Sequence, residues 1–324
     1  MTLLQSINQF VENICVTDRQ EEGIKTSLDN MYGYLQDEAN GLSVLRNFTN
    51  GSYDRDTIIR PLDDIDIFSV LNREDWEDEY QQLPKPQAVL SKFKKYLDGI
   101  TIYEGKVKQD RPCVTIRLSD KNFDIMPSFE LFGGGYLIPN FDLSGWTYAY
   151  PEQLYDNLEA VHKQRNYKVK QIIKAVKHWN RNLEKLIPSY HIEEVAINIF
   201  NLNDFKNYRE GIELWFKNAE YYLLSTKLKS NSDYLIAIEH IKAVIKKLDE
   251  ATAKCADNKE AEAVQLWKDI FGKEFPTIDP AEAKNFARAI TDGSLKIAAT
   301  GGLSTTVGQA VGASSGYHGG LSTN

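Results

Sequence analysis

Apolar positions recur at helical spacing through residues 2–15 and 18–38, with Thr17 or Asp18 placed to cap the second helix. The pattern then shortens into strand-like runs: LSVLRNF at 42–48, DIDIFSVL at 64–71, CVTIRL at 113–118 and FDIMPSF at 123–129. Between them lie an acidic loop, REDWEDEY, and a helical stretch from Pro86 to Leu97. Gly133, Gly134 and Gly135 predict a turn, because no phosphate-loop glycine spacing surrounds them. From Pro151 onward helical periodicity dominates, over 152–186, 190–201, 207–225, 232–254 and 259–271. Asp279-Pro280 has the form of an N-cap followed by a first-turn proline, starting a last helix to about Lys296. The remainder is rich in Gly, Ser and Thr and too poor in apolar surface to offset its ordering entropy. The expected fold class is α+β: residues 1–150 as a sheet lobe with N-terminal helices, 151–298 as a helical lobe completing a cleft, and 299–324 as a flexible tail.

A formal charge of -8 argues against a protein that coats nucleic acid non-specifically, since such binding needs surplus Lys and Arg. Phosphate chemistry, if present, must be local. Cys15, Cys113 and Cys255 are scattered, without a metal or disulfide pattern. No apolar run is long enough to span a bilayer, and the N-terminus carries Glu12 where a signal peptide would be apolar. The reading is a soluble cytoplasmic protein with no membrane partner and no stable nucleic-acid partner.

The candidate chemistry begins in DIDIF. Period-two alternation places Asp64 and Asp66 on one face of a strand and Ile65 and Ile67 on the other. Two carboxylates held side by side suit magnesium, a hard ion that keeps waters and takes its other ligands from phosphates; manganese is an alternative. Asp124, in the apolar context of FDIM, is the third carboxylate of a two-metal arrangement. Taken singly each aspartate reads as an ordinary outward-facing strand residue, but Asp is disfavoured in strands and three such placements point to a site. Upstream, Gly51 lets backbone approach a phosphate closely, and the Ser52 hydroxyl offers a further donor. Lys170, Lys174, Lys177 and Arg181 share one helical face, which suits a triphosphate tail, although a solvated lysine face is the commoner fate of such a stripe.

GSYDRDTIIRPLDDIDIF, with Arg55, Thr57, Pro61 and the later DIMPSF, resembles the polymerase-beta-like nucleotidyltransferases. Within them it resembles the bacterial CD-NTases, the cyclic-oligonucleotide synthases of CBASS-type anti-phage signalling. The resemblance implies a polymerase-beta-like sheet lobe against a helical lobe. It also implies synthesis of a cyclic di- or trinucleotide from nucleoside triphosphates, ATP foremost with a second nucleotide as alternative. In such enzymes a lysine on the helix after residue 161 binds the triphosphate; the motif places it at Lys174, with Lys177 second. SYHIEE resembles the element in which Ser189 would bond phosphates and Tyr190 would stack on a base, core packing being the other reading of Tyr190. A regulatory protein, or a ligase that conjugates the tail, is the implied partner. The alternative function is nucleotidyl transfer to an RNA end or a protein hydroxyl.

Overall fold

The computed structural model describes residues 2–277 and, past them, Arg288, Ser294, Lys296, Ile297, Leu303, Ser304, Gln309 and Ala310. Two helices open the chain, α1 (Leu3–Ile14) and α2 (Asp18–Leu35), each begun by a capping box in which a threonine and a glutamine three residues on exchange bonds with the backbone: Thr2 with Gln5, Thr17 with Gln20. The sheet lobe follows as β1 (Val44–Asn50), α3 (Gly51–Asp54), β2 (Asp64–Leu71), α4 (Pro86–Asp98), β3 (Val107–Asp110), β4 (Cys113–Arg117), β5 (Asn122–Glu130), β6 (Tyr136–Pro139) and β7 (Trp146–Ala149). Strand order is β1-β2-β5-β4-β3, with β6 on the far part of β5 and β7 beside β6. Only β2 and β5 pair in parallel. One face of the sheet is sealed: Ile65, Ile67, Val114, Ile116, Phe123 and Ile125 pack against Leu90, Phe93 and Leu97 of α4 and Ile24, Leu28 and Met31 of α2. The other face carries Asp64, Asp66, Thr115 and Asp124, and farther along β2 it is covered by a small cluster of Phe68, Val70 and Tyr136.

The helical lobe comprises α5 (Pro151–Gln164), α6 (Val169–Arg181), α7 (Ser189–Leu202), α8 (Tyr208–Tyr222), α9 (Asn231–Ala256) and α10 (Glu260–Phe271). The single helix expected over 152–186 is two, broken at Arg165–Lys168 where Asn166 and Tyr167 take left-handed backbone at φ 52° and 58°. The division at residue 150 also fails for α1. Its Leu3, Ile7, Phe10 and Ile14 belong to the helical core with Trp179, Trp215, Trp267 and Phe271, while α2 belongs to the sheet core. The glycine turn is as expected, with Gly133, Gly134 and Gly135 all at positive φ. Beyond residue 277, β8 (Lys296–Ile297) pairs antiparallel with β9 (Leu303–Ser304) and β10 (Gln309–Ala310). The helix expected from Asp279 and the rest of the expected tail lie outside the described residues. No described helix is long and apolar enough to cross a membrane.

Candidate active site

Strand register lays the site out as rows across the open face of the sheet. Asn50 stands opposite Asp66, Asp66 beside Asp124, Asp124 opposite Thr115, and Thr115 opposite Lys108. One row over, Asp64 lies beside Asn122, and Asn122 opposite Arg117. Asp64, Asp66 and Asp124 therefore share one face, as the alternation in DIDIF requires. Neutral donors steady the outer two: Asn122 Nδ2 donates to Asp64 Oδ1 at 2.8 Å and Thr115 Oγ1 to Asp124 Oδ1 at 2.5 Å.

Asp66 differs. Among the described residues no hydrogen-bond donor reaches its carboxylate, and burial, then the charge of Asp124, pushes its carboxyl up to about 7 despite Arg55 and Lys177 nearby. Burial likewise raises Asp124, with Thr115 working against the shift and Asp64 adding to it. Among the described residues no three His, Cys, Asp or Glu side chains form a ready-made cation cage. The triad is open and oxygen-only, with an under-compensated anion at its centre, which fits a hard divalent ion that brings waters and phosphate oxygens of its own. Gly51 closes over this carboxylate. Its φ is +72°, and a Cβ there would sit 1.8 Å from Asp66 Oδ2.

Asp66 and Asp124 line a cleft of about 940 Å³ bounded also by Gly51, Arg55, Phe68, Arg111, Met126, Tyr148, Tyr150 and Tyr190 among others, whereas Asp64, Ser52 and Ser189 lie outside its lining. Tyr190 is 42% exposed, which overturns the core-packing reading. Lys227 lies 5.7 Å from its ring centroid and bonds both oxygens of Glu194 at 2.6 and 2.5 Å. The Leu224 N–H donates to His191 Nε2 at 2.9 Å, so Nδ1 carries the proton and donates to Glu194 at 2.9 Å. Ser189 is exposed in the first turn of the same helix.

The lysine stripe is corrected most. Every residue of α6 from Val169 to Asn180 except Gln171 is buried, so no solvated face exists. Lys170 pairs with Glu159, Lys174 with Asp56 at 2.7 Å, and Arg181 with Asp63 at 2.5 Å. Neither Lys174 nor Lys177 lines the cleft. Lys177 instead enters a buried cluster. Its Nζ donates to Glu193 Oε1 at 2.7 Å and to Thr57 Oγ1 at 2.8 Å, while Arg55 Nε donates to Glu193 Oε2 at 2.7 Å. Burial opposes ionisation of Glu193, but the charges of Lys177 and Arg55 prevail and hold it below the usual carboxylate range. Thr57 in turn donates its N–H to the Ser52 carbonyl at 2.8 Å, so the cluster ties the Gly51–Ser52 turn to the helical lobe. Sequence reasoning passed over Glu193. Its signal was an acid three residues before Ala196 and seven before Phe200, on the buried side of a helix.

Comparison with known proteins identifies the family and the fold. Residues 1–162 match the model of the Second Messenger Oligonucleotide or Dinucleotide Synthetase domain. A probable cyclic nucleotide synthase of Bacillus cereus is 27% identical over 85% of this chain and 98% of its own length. The cyclic AMP-AMP-AMP synthase of an Acinetobacter species is 26% identical over 75% of this chain and 76% of its own. Escherichia coli CdnC, solved with ATP, superposes with a TM-score of 0.69 at 17% identity, covering 84% of this chain and 98% of that one; its complex with HORMA-deltaN gives 0.68. With a polymerase-beta-like sheet lobe, a helical lobe and the matching domain model, the chain belongs to the Second Messenger Oligonucleotide or Dinucleotide Synthetase family and is a nucleotidyltransferase of the bacterial CD-NTase group.

Proposed function

We propose that this enzyme joins nucleoside triphosphates, ATP foremost, into a cyclic di- or trinucleotide second messenger in CBASS-type anti-phage defence. The observation that carries the reading is a cleft lined by Asp66 and Asp124 together with three exposed tyrosines, Tyr148, Tyr150 and Tyr190, which are stacking surfaces enough for two bases. The cyclic AMP-AMP-AMP synthase relative supports adenine, and the CdnC complex with HORMA-deltaN supports a regulatory protein partner.

Asp64, Asp66 and Asp124 would hold magnesium or manganese, which when bound offsets phosphate charge and eases ionisation of the acceptor hydroxyl. Thr115 occupies Asp124 Oδ1, which leaves Oδ2 to take the proton of the acceptor hydroxyl. The hydroxyl oxygen forms a bond to the donor α-phosphorus as the bond to pyrophosphate breaks. Gly51 and Ser52 hold the donor phosphates beside Asp66, and Ser189, exposed in the first turn of α7, adds a hydroxyl donor. Lys177 supports this turn through Thr57, whose N–H bonds the Ser52 carbonyl, and Lys174 is paired with Asp56.

Two outcomes are expected. Labelled ATP with magnesium should yield pyrophosphate and a small product that survives phosphatase yet is cut by a nuclease for internal phosphodiesters. Products that are all phosphatase-sensitive, or label found only on added RNA or protein, would replace cyclisation with transfer to a macromolecule. Gly51→Ala should cost at least about 100-fold in turnover, because the new methyl displaces the Asp66 carboxylate. The backbone penalty for a left-handed alanine is only about 1–2 kcal/mol, so melting should shift modestly. Near-normal turnover would show that the carboxylate can move without consequence.

A further inference from the structure

The surface charge is distributed otherwise than the sequence suggested. The α6 cations are consumed by internal pairs, whereas the β3–β4 hairpin displays Lys106, Lys108, Arg111 and Arg117, all exposed, against the single acid Asp110. Arg117 reaches Asp110 only at 3.8 Å, between two exposed side chains, and Lys106 Nζ is bonded to the Ile102 carbonyl. No carboxylate among the described residues pairs with Lys106, Lys108 or Arg111. These cations also have a defined position. Lys108 ends the row that runs Asp66, Asp124, Thr115, Lys108, and Arg117 ends the row that runs Asp64, Asn122, Arg117. Arg111 lines the cleft itself. Two strand spacings, about 10 Å, separate the Asp124 backbone from that of Lys108.

We propose that this hairpin is a second phosphate site, holding the 5′-triphosphate of the acceptor nucleotide. The inference rests on the function proposed above: when the acceptor is itself a nucleoside triphosphate, three anionic phosphates must be placed near a floor of carboxylates. In-line displacement fixes which side they take. The leaving pyrophosphate departs on the Gly51–Ser52 side of Asp66, so the attacking hydroxyl comes from the opposite side, across Asp124 toward β4 and β3. A ribose whose hydroxyl lies at Asp124 directs its 5′-phosphates along the row to Lys108, Arg117 and Arg111. Arginine and lysine there supply charge-assisted bonds that a neutral nucleoside acceptor cannot use.

The test uses the full chain carrying Lys108→Glu with Arg117→Glu, both exposed and clear of either core, with thermal melting as a check on folding. Wild type should bind two equivalents of a non-hydrolysable ATP analogue in the presence of magnesium, and the variant one. In first-step assays, transfer to ATP should fall at least about tenfold through the acceptor KM. Transfer to adenosine, which lacks 5′-phosphates, should stay within about twofold. A variant that binds two equivalents and keeps the wild-type preference for ATP over adenosine overturns the proposal, as does an equal loss toward both acceptors. A wild-type chain that binds no nucleotide and transfers to neither acceptor overturns the proposed function, and this site with it.

Discussion

Asp66→Asn should abolish nucleotide transfer, by on the order of 1,000-fold or more, and at the same time make the protein harder to melt. Both effects come from one carboxylate. An ordinary aspartate ionises near 3.8, whereas Asp66 is held to about 7. The folded state therefore binds a proton that the unfolded chain releases, and stability falls as pH rises from near 4 to near 7, then levels. At pH 8 the cost to the fold reaches about 4 kcal/mol at most by proton linkage, with side-chain relaxation reducing it. An asparagine carries none of it, so the gain in melting temperature should be larger at pH 8 than at pH 5. Magnesium should raise the wild-type melting temperature at pH 8 and leave the variant nearly unmoved. Turnover near wild type, or a melting difference independent of pH, would remove Asp66 from the centre of the site.

Glu193→Ala should be the most destabilising single change, at about 3–5 kcal/mol, since it strands Arg55 and Lys177 without a counter-charge in a buried setting. Denaturant unfolding near neutral pH measures it directly. Because Glu193 ionises below its usual range in the fold, its contribution is complete above about 4.5 and fades as pH falls beneath that. The gap between wild type and variant should narrow on acidification. Activity should fall as well, for Arg55 lines the cleft and Thr57 holds the Ser52 turn. Pairing the change with Lys177→Met should recover part of the stability and little of the activity. A loss below about 1 kcal/mol, the range of exposed ion pairs, would mean that water reaches the cluster.

What could be read in the sequence follows from where the information lies along the chain. β2 is found at 64–71, and its alternation is legible at the start, where Ile65 and Ile67 are buried and Asp64 and Asp66 are not, before both faces are covered from Phe68 on. The aspartate face follows from the same period. The short strands β3, β6 and β7 are not legible: each has four residues, and VKQD or WTYA carries too few apolar positions to show a period. The break between α5 and α6 went unread because Arg165–Lys168 contains neither Gly nor Pro. The pairing of the α6 lysines is not legible for a different reason. A lysine is solvated unless an acid comes to it, and the acids that come to Lys174 and Lys177, Asp56 and Glu193, arrive through tertiary folding, one of them from 118 residues away. Tyr190 reads as either platform or core from the sequence, because the turn that brings Lys227 over its ring comes from 37 residues on.

The placement of α1 governs how this protein can be made. Leu3 donates its N–H to Glu260 at 2.8 Å, and the Phe10 ring packs at a tilt against those of Phe271 and Phe275. α1 is thus synthesised well over 200 residues before α10, which completes its apolar contacts. Meanwhile the sheet lobe, closed by α2 and α4, has every fully buried residue of its main core in hand once β5 is synthesised, with Leu137, Leu143 and Trp146 added at its margin soon after. Vectorial synthesis should give a structured sheet lobe trailing an unsatisfied amphipathic helix, followed by late closure of the helical lobe around it.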